Sequence, residues 1–303
     1  MRTALCLFLA LTIAACASPA RLPAKATAEP KAEPTAPAKD PKLVALEEAQ
    51  AALAKDPGNE ECIIWVGRRL AYLGRFQEAQ AQYTQGLGLY PKSYKLMRHR
   101  GHRWITLRRF DIAVADLTRA EELMQSQPDE VEPDGMPNPA GIPIGTYRSN
   151  ITYHLALAHF LRGEYAQACA AWERGGGTNA ANPDRLVSST YWHALALFRL
   201  NRDSEALALL GKVQPDLKLL ENESYLELCL LFAGKRKPQA VLEGIPPGTS
   251  EHATRGFGLS AWYRLYGKRA EADALVREIV ERDPENSFGR IAAEVDQKRA
   301  TGK

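Results

Sequence analysis

Residues 60–93 read EECIIWVGRRLAYLGRFQEAQAQYTQGLGLYPKS. Around Gly74 this stretch divides into two runs with apolar and small side chains at helical spacing. Val66, Gly67 and Leu70 lie before the break, and Phe76, Ala79 and Tyr83 lie after it. Gly86 follows, and Pro91 stops the second run. The same markers return at a fixed distance along the chain. Pro57 and Pro91, Gly67 and Gly101, Phe76 and Phe110, and Ala79 and Ala113 are each 34 residues apart. A sustained period of this length is the mark of a stacked repeat, whose single unit cannot bury its own apolar face.

Further copies follow. One near 94–127 keeps Gly101, Trp104, Phe110, Ala113, Leu117 and Ala120. Another near 149–182 keeps Leu155, Ala156, Gly163, Tyr165, Ala168 and Trp172, and a fourth near 187–220 has Ala194, Leu197, Ala206 and Leu210. The fifth, near 221–247, is degenerate: Pro238 and Pro246-Pro247 cut its second helix short. The sixth, near 253–286, has Leu259, Ser260, Tyr263, Gly267, Ala272 and Pro284. These marker positions resemble the tetratricopeptide repeat (TPR), a helix-turn-helix unit of 34 residues. The resemblance covers roughly 240 residues and implies an all-α solenoid of about six repeats over residues 42–300. Small residues at Gly67, Gly101, Ala156, Ala194 and Ser260, facing Ala79, Ala113, Ala168, Ala206 and Ala272, let paired helices approach closely. Lys42 to Lys55 reads as an N-terminal half-unit, and Ser287 to Arg299 as a polar C-terminal cap.

The resemblance also implies a binding surface. TPR proteins hold partners on the concave face lined by the first helix of each unit. By repeat position that face carries Arg68, Tyr72, Arg98, His102, Asn150, Tyr153 and Tyr191, with Ile64 and Phe257. Arginine, histidine and tyrosine together suit an anionic or amide-bearing partner such as an extended peptide. The family's clamp for acidic peptide termini is not reproduced, because Ile64 and Arg68 stand where it has lysine and asparagine.

The period breaks once. Ala113 to Ala168 is 55 residues, one repeat plus 21, and the extra length falls at 126–148. This insert holds Asp129, Glu130, Glu132, Asp134 and five prolines, and a loop of this length is commonly functional. Just upstream lies the densest basic run, Arg98-His99-Arg100-Gly101-His102-Arg103. Arg100 takes a position where the repeat ordinarily has a core leucine, and a buried arginine needs a partner. The economical expectation is that the insert's acids fold back onto this helix and neutralise Arg100. A basic face at Arg98–Arg103 left partly open would instead receive a small anionic ligand. His99 and His102 lie one turn apart, the spacing of a two-histidine metal site and a distant route to an enzyme, but no HExxH accompanies them.

Other chemistry is sparse. His154 and His159 diverge around a helix and read as packing residues, and Gly175-Gly176-Gly177 reads as a helix terminator. Cys62, Cys169 and Cys229 sit on apolar helix faces and read as buried thiols. No nucleophile motif such as GxSxG occurs. The expectation is a non-enzymatic chain without cofactor.

The N-terminus reads as an address. Arg2, an apolar run from Ala4 to Leu11 and then Ile13-Ala14-Ala15-Cys16 have the layout of a secretory signal at residues 1–15. The last four residues resemble the bacterial lipobox, implying lipidation at Cys16 and a bilayer anchor through its acyl chains. Ala17, rather than aspartate, follows the cysteine. By the same resemblance this favours the outer membrane, with the chain facing the periplasm. Residues 17–41 hold six prolines and eight alanines against one large aliphatic side chain, Leu22. Such a stretch buries too little to offset its ordering entropy. Residues 16–41 are therefore expected to form a disordered linker, reaching up to ~75 Å.

Composition limits the partners. Lys and Arg total 39 against 36 Asp and Glu in 303 residues, a formal charge of +3, which is small for a nucleic-acid binder. Five cysteines without paired spacing exclude a disulfide scaffold or zinc knuckle. A membrane-anchored scaffold for a protein or peptide is the combined expectation.

Overall fold

The alternation of small and large side chains drives the chain into helical hairpins. A computed structural model describes residues 39–180 and 182–302; the expected signal, Cys16 and nearly all of the expected linker lie outside them. The half-unit α1 (Pro41–Lys55) leads into α2 (Glu60–Tyr72) and α3 (Phe76–Leu89), then α4 (Tyr94–Thr106) and α5 (Phe110–Met124). After the insert come α6 (Tyr147–Arg162) with α7 (Tyr165–Ala180), and α8 (Pro183–Arg199) with the short α9 (Asp203–Leu210). The degenerate unit is α10 (Glu223–Phe232) followed by one 3-10 turn, Pro238–Ala240. The array ends with α11 (Ser250–Leu265), α12 (Arg269–Arg282) and α13 (Phe288–Thr301). α7 runs through Gly175 and Gly176 without stopping, so the glycine run is not a terminator.

The expected close approaches are present. Ala79, Ala113, Ala168, Ala206 and Ala272 are fully buried. A Cβ on Gly67 would lie 2.3 Å from Tyr83 Cε1, and one on Gly101 would lie 2.6 Å from Leu117 Cγ. Neither position admits a larger residue without moving the second helix.

Capping differs between the two helices of a unit. Outside the degenerate unit, whose α10 has no side-chain cap, first helices begin with a side chain that accepts a backbone N–H: Asn59, Ser93, Thr146, Asn182 and Thr249. Second helices begin at Arg75, Arg109, Arg202 and Lys268 with no side-chain cap. The residue before each of these has a left-handed backbone: Gly74, Arg108, Asn201 and Gly267, with φ of 76°, 59°, 58° and 72°. Glycine takes this conformation freely, whereas arginine does not. Arg108 is held there by two-pronged pairing with Glu294, its Nε and Nη2 each 2.8 Å from the carboxylate.

That pair joins residues 186 apart and reveals the largest departure from expectation. α13 is not a polar cap at the end of the array. It packs on α11 and α12 and also reaches the earlier units. Ile291, Ala292 and Ala293 are buried. Phe288 contacts the rings of His102 on α4 and of Tyr153 and His154 on α6. Arg299 donates to Tyr165 Oη at 2.7 Å and to the Leu161 carbonyl at 2.9 Å. Asp296 meets Arg199 of α8 at 2.5 Å. The last helix thus lies against the first helices of units two, three and four.

Candidate functional site

The residues assigned to the concave face converge as the repeat predicts, but most are covered. Tyr191 and Tyr153 are 1% and 5% exposed and belong to the core. Tyr191 packs on Trp192 and Tyr225, while Tyr153 lies under the Arg185 guanidinium at 5.1 Å. Ile64 and Phe257 are likewise fully buried. The expectation of an open aromatic groove fails here, because Phe288 of α13 packs on Tyr153, and Tyr225 and Phe232 of α10 pack on Tyr191.

Over α2, α4 and the start of α6 the cover is the insert. Its ends are pinched by an antiparallel bridge between Val131 and Thr146: Glu132 N donates to the Gly145 carbonyl, and Tyr147 N to that of Glu130. The loop then lies across several first helices. Glu130 meets Lys95 at 2.7 Å, Arg69 donates to the Gly135 carbonyl at 3.0 Å, and Asn150 donates to Glu132 Oε2 at 2.8 Å. Its midpoint is folded by Asn138, which donates to the Ile142 carbonyl at 2.7 Å.

The predicted docking of acids on the basic helix therefore occurs, with a different partner. Glu132 Oε2 lies 2.7 Å from Arg98 Nε, with both side chains buried. Arg98 Nε is not aligned as a donor, so the contact is an ion pair rather than a directed hydrogen bond. Arg100 turns away from the insert. Its Nε and Nη2 each donate to Asp116 of α5 at 2.7 Å, a bidentate pair within its own unit. Asp116 was the nearer solution to the buried arginine, since the second helix of the unit faces that position.

Arg98 is one of a group. Arg68, Arg98, Arg103, His99, His102, Tyr72, Ala71 and Glu132 line a cavity of about 100 Å³. Arg68 donates to Tyr72 Oη at 3.4 Å and lies 4.5 Å over the Trp65 ring, and its Nη1 has no acceptor among the described residues. Arg103 has no carboxylate partner among the described residues; its guanidinium lies 5.6 Å over the Phe76 ring. Burial pushes its pKa down to about 10, with the Arg98 and Arg68 charges adding to the effect. Deeper along the same face, Arg185 Nε and Nη2 are also buried without acceptors. Its neighbour Asp184 is committed elsewhere, accepting the backbone N–H groups of Leu220, Glu221 and Asn222.

The histidines are neutral members of this cluster. Burial, with the nearby Arg98 and Arg103 charges, holds His99 and His102 well below the usual imidazole range. His154 is lowered in the same way by burial and Arg98. His99 stacks on Tyr83 at 5.8 Å, whereas His102 packs on His154 at 4.3 Å, so the two rings line the cavity with different ring partners. Among the described residues no group of three or more His, Cys, Asp or Glu side chains is placed to hold a metal ion. His159 pairs with Glu164 at 2.7 Å across the α6–α7 turn, away from the cavity. Cys169 and Cys229 are buried, as expected, while Cys62 is partly exposed.

Solved structures with the same architecture include a tetratricopeptide repeat protein from Parabacteroides merdae. It is 14% identical, with a TM-score of 0.51 over 84% of this chain and 92% of that one. The fold is that of a TPR solenoid. Similarity also extends to YrrB, described as a TPR protein with an unusual peptide-binding site, at 14% identity and a TM-score of 0.43 over 84% and 100% of the two chains. PilF of Pseudomonas aeruginosa matches at 14% identity and a TM-score of 0.46 over 86% and 90%. No protein-family model and no curated protein matches the sequence.

Sequence reasoning placed Arg68, Tyr72, Arg98 and His102 at one site, and the TPR solenoid brings them together. It named Arg103 only within the alternative anion-binding face at Arg98–Arg103, and missed Glu132 as the partner of Arg98, and Arg185. Arg103 was legible as the end of the basic run, one turn from His99 and five residues from Arg98. Nothing in the repeat pattern marked Arg185.

Proposed function

We propose that this chain is a non-enzymatic TPR scaffold that binds an acidic segment of a protein partner on the inner face of α2, α4 and α6. One observation carries the reading: the chain's own acidic insert folds back over that face, with Glu132 seated beside Arg98. The insert thus occupies the place of an acidic peptide and makes the contacts such a peptide would make. A partner with a stronger set of carboxylates displaces it and takes over Lys95, Arg98, Arg68 and Arg69. The modest affinity of the insert, tethered at both ends, sets the threshold for exchange.

The lipobox at Ile13–Cys16 supports a bilayer anchor through Cys16 acyl chains. With Ala17 rather than aspartate after the cysteine, the reading extends to the periplasmic face of the outer membrane, with the Pro- and Ala-rich linker as a spacer. Cys16→Ser is expected to move the protein to the soluble fraction or block its processing; unchanged fractionation would refute the anchor.

Capture from crosslinked cells tests the partner reading. Arg68→Ala is expected to lower recovery of the partner, and Glu132→Lys, which releases the insert, to raise it. Gln77→Ala and Gln167→Ala, on exposed second-helix positions, should change nothing. Equal recovery from all four variants would remove the inner face from consideration.

A further inference from the structure

The cavity between α2, α4 and the insert carries more positive charge than the insert neutralises. Arg68, Arg98 and Arg103 line it against one carboxylate, Glu132, and both lining histidines are neutral. A buried guanidinium without an acceptor is costly, yet Arg68 Nη1 is buried, unpartnered and on the cavity wall, in a residue 8% exposed. His99 Nε2 is a second such group, in a residue 4% exposed. At 3.9 Å from Glu132 Oε1 it is beyond hydrogen-bond reach. Two helices thus aim donors into one space, Arg68 from α2 and His99 and Arg103 from α4, while Glu132 of the insert closes the other side as an acceptor.

From this geometry we infer that the cavity is a binding site for a small free tetrahedral oxyanion of the phosphate or sulfate class. The cavity volume of about 100 Å³ is several times the roughly 10–15 Å³ that admits one water, enough for one such ion and little else. Guanidinium groups match the oxygen edges of a phosphate in pairs. The lining's excess of two positive charges, reduced by Asp134 near Arg68 just outside it, suits a mono- or dianion. Arg68 supplies Nη1, which has no acceptor among the described residues, Arg103 supplies a guanidinium with no carboxylate partner among them, and His99 supplies a neutral N–H. Glu132 competes for the same cations, so the anion and the insert's carboxylate are antagonists. The site does not depend on the partner reading above: a chain that captures no protein could still bind the ion, and a scaffold could act with the cavity filled by water.

Calorimetric titration of the full chain with inorganic phosphate, at constant ionic strength in chloride, tests the site. One saturable phosphate per chain is expected. Arg68→Gln and Arg103→Gln should each weaken binding at least tenfold, with helical circular dichroism unchanged. Arg75→Gln, at an exposed residue tied to Glu78, should bind as the wild type does. Glu132→Gln, which removes the competing carboxylate, should bind more tightly. Absence of saturable binding by the wild type would overturn the site, as would equal affinity in the wild type and both arginine variants. Capture of the chain by phosphatidic acid vesicles without binding of the free ion would also overturn it, because the cavity has no room for a glycerol backbone. Should an arginine variant fail to fold, the wild type alone decides, by whether phosphate raises its melting midpoint where equal chloride does not.

Discussion

Two segments outside the regular repeats lie on the inner side of this solenoid, and they are held there by different forces. α13 inserts Ile291, Ala292 and Ala293 into the core and fastens its rim with Arg108–Glu294 and Arg199–Asp296. The insert between α5 and α6 leaves Val131, Met136 and Ile142 exposed and is attached through Glu130, Glu132 and the Gly135 carbonyl. Apolar burial is proportional to area and is not replaced by water. Ion pairs and carbonyl contacts can be exchanged for water or another anion, at little net cost where both groups become solvated together. The same architectural position is therefore a permanent part of the core at one end and an exchangeable cover at the other.

The largest expected effect falls on α13. Ile291→Asp places an unpaired carboxylate at a fully buried position. The cost should exceed about 5 kcal/mol, enough to abolish folding in a domain whose total stability is of order 5–15 kcal/mol. Circular dichroism in urea reads it, and a folded variant would show that α13 is as loosely held as the insert.

Glu132→Ala should act less. Removing one partner from a buried ion pair costs about 3–5 kcal/mol when the other charge stays buried. An insert that lifts admits water to Arg98 and limits the loss to about 1–3 kcal/mol. A measured loss in the higher range would mean the insert is fixed.

The seam between the two covers should give the protein its pH dependence. His99, His102 and His154 have folded pKa values well below the unfolded value, chiefly through burial. Above pH 6.5 they are neutral in both states and contribute nothing. Below it the unfolded chain binds protons that the folded chain refuses, so stability falls as pH falls, by up to about 1.4 kcal/mol per pH unit for each histidine. Melting midpoints from pH 7 to 5 should follow this slope, and His154→Gln should flatten it by one histidine's share. A midpoint independent of pH over that range would mean the seam is open to solvent.

Glu130→Ala should be nearly silent, at about 0–1 kcal/mol, because its pair with Lys95 is half exposed. A loss as large as that of Glu132→Ala would show that the outer contact, not the buried one, holds the insert.

These differences also explain what the sequence could and could not disclose. The 34-residue period, the close approach at Gly67 and Gly101 and the truncated fifth unit were readable because each depends on neighbours within one or two hairpins. The docking of acids on the basic helix was readable as charge balance, but its pairing was not. Arg100 finds Asp116 sixteen residues away in its own unit, which leaves Glu132 to Arg98. The course of α13 could not be read, because it depends on the rotation summed over all the repeats and on the short fourth and fifth units. Tyr153 and Tyr191 were correctly placed on the first helices and wrongly left open, since Tyr153 is covered by Phe288 from that unreadable end and Tyr191 by Tyr225 and Phe232 of the degenerate unit.

Native-state hydrogen exchange of the full chain in low urea tests the central contrast most directly. The amides of Glu132 and Tyr147, bonded across the base of the insert, report the insert, and those of Ile291 to Asp296 report α13. The account predicts that the insert amides exchange through a local opening several kcal/mol below the global unfolding energy, while the α13 amides exchange only with global unfolding. Equal opening energies for the two segments would contradict it.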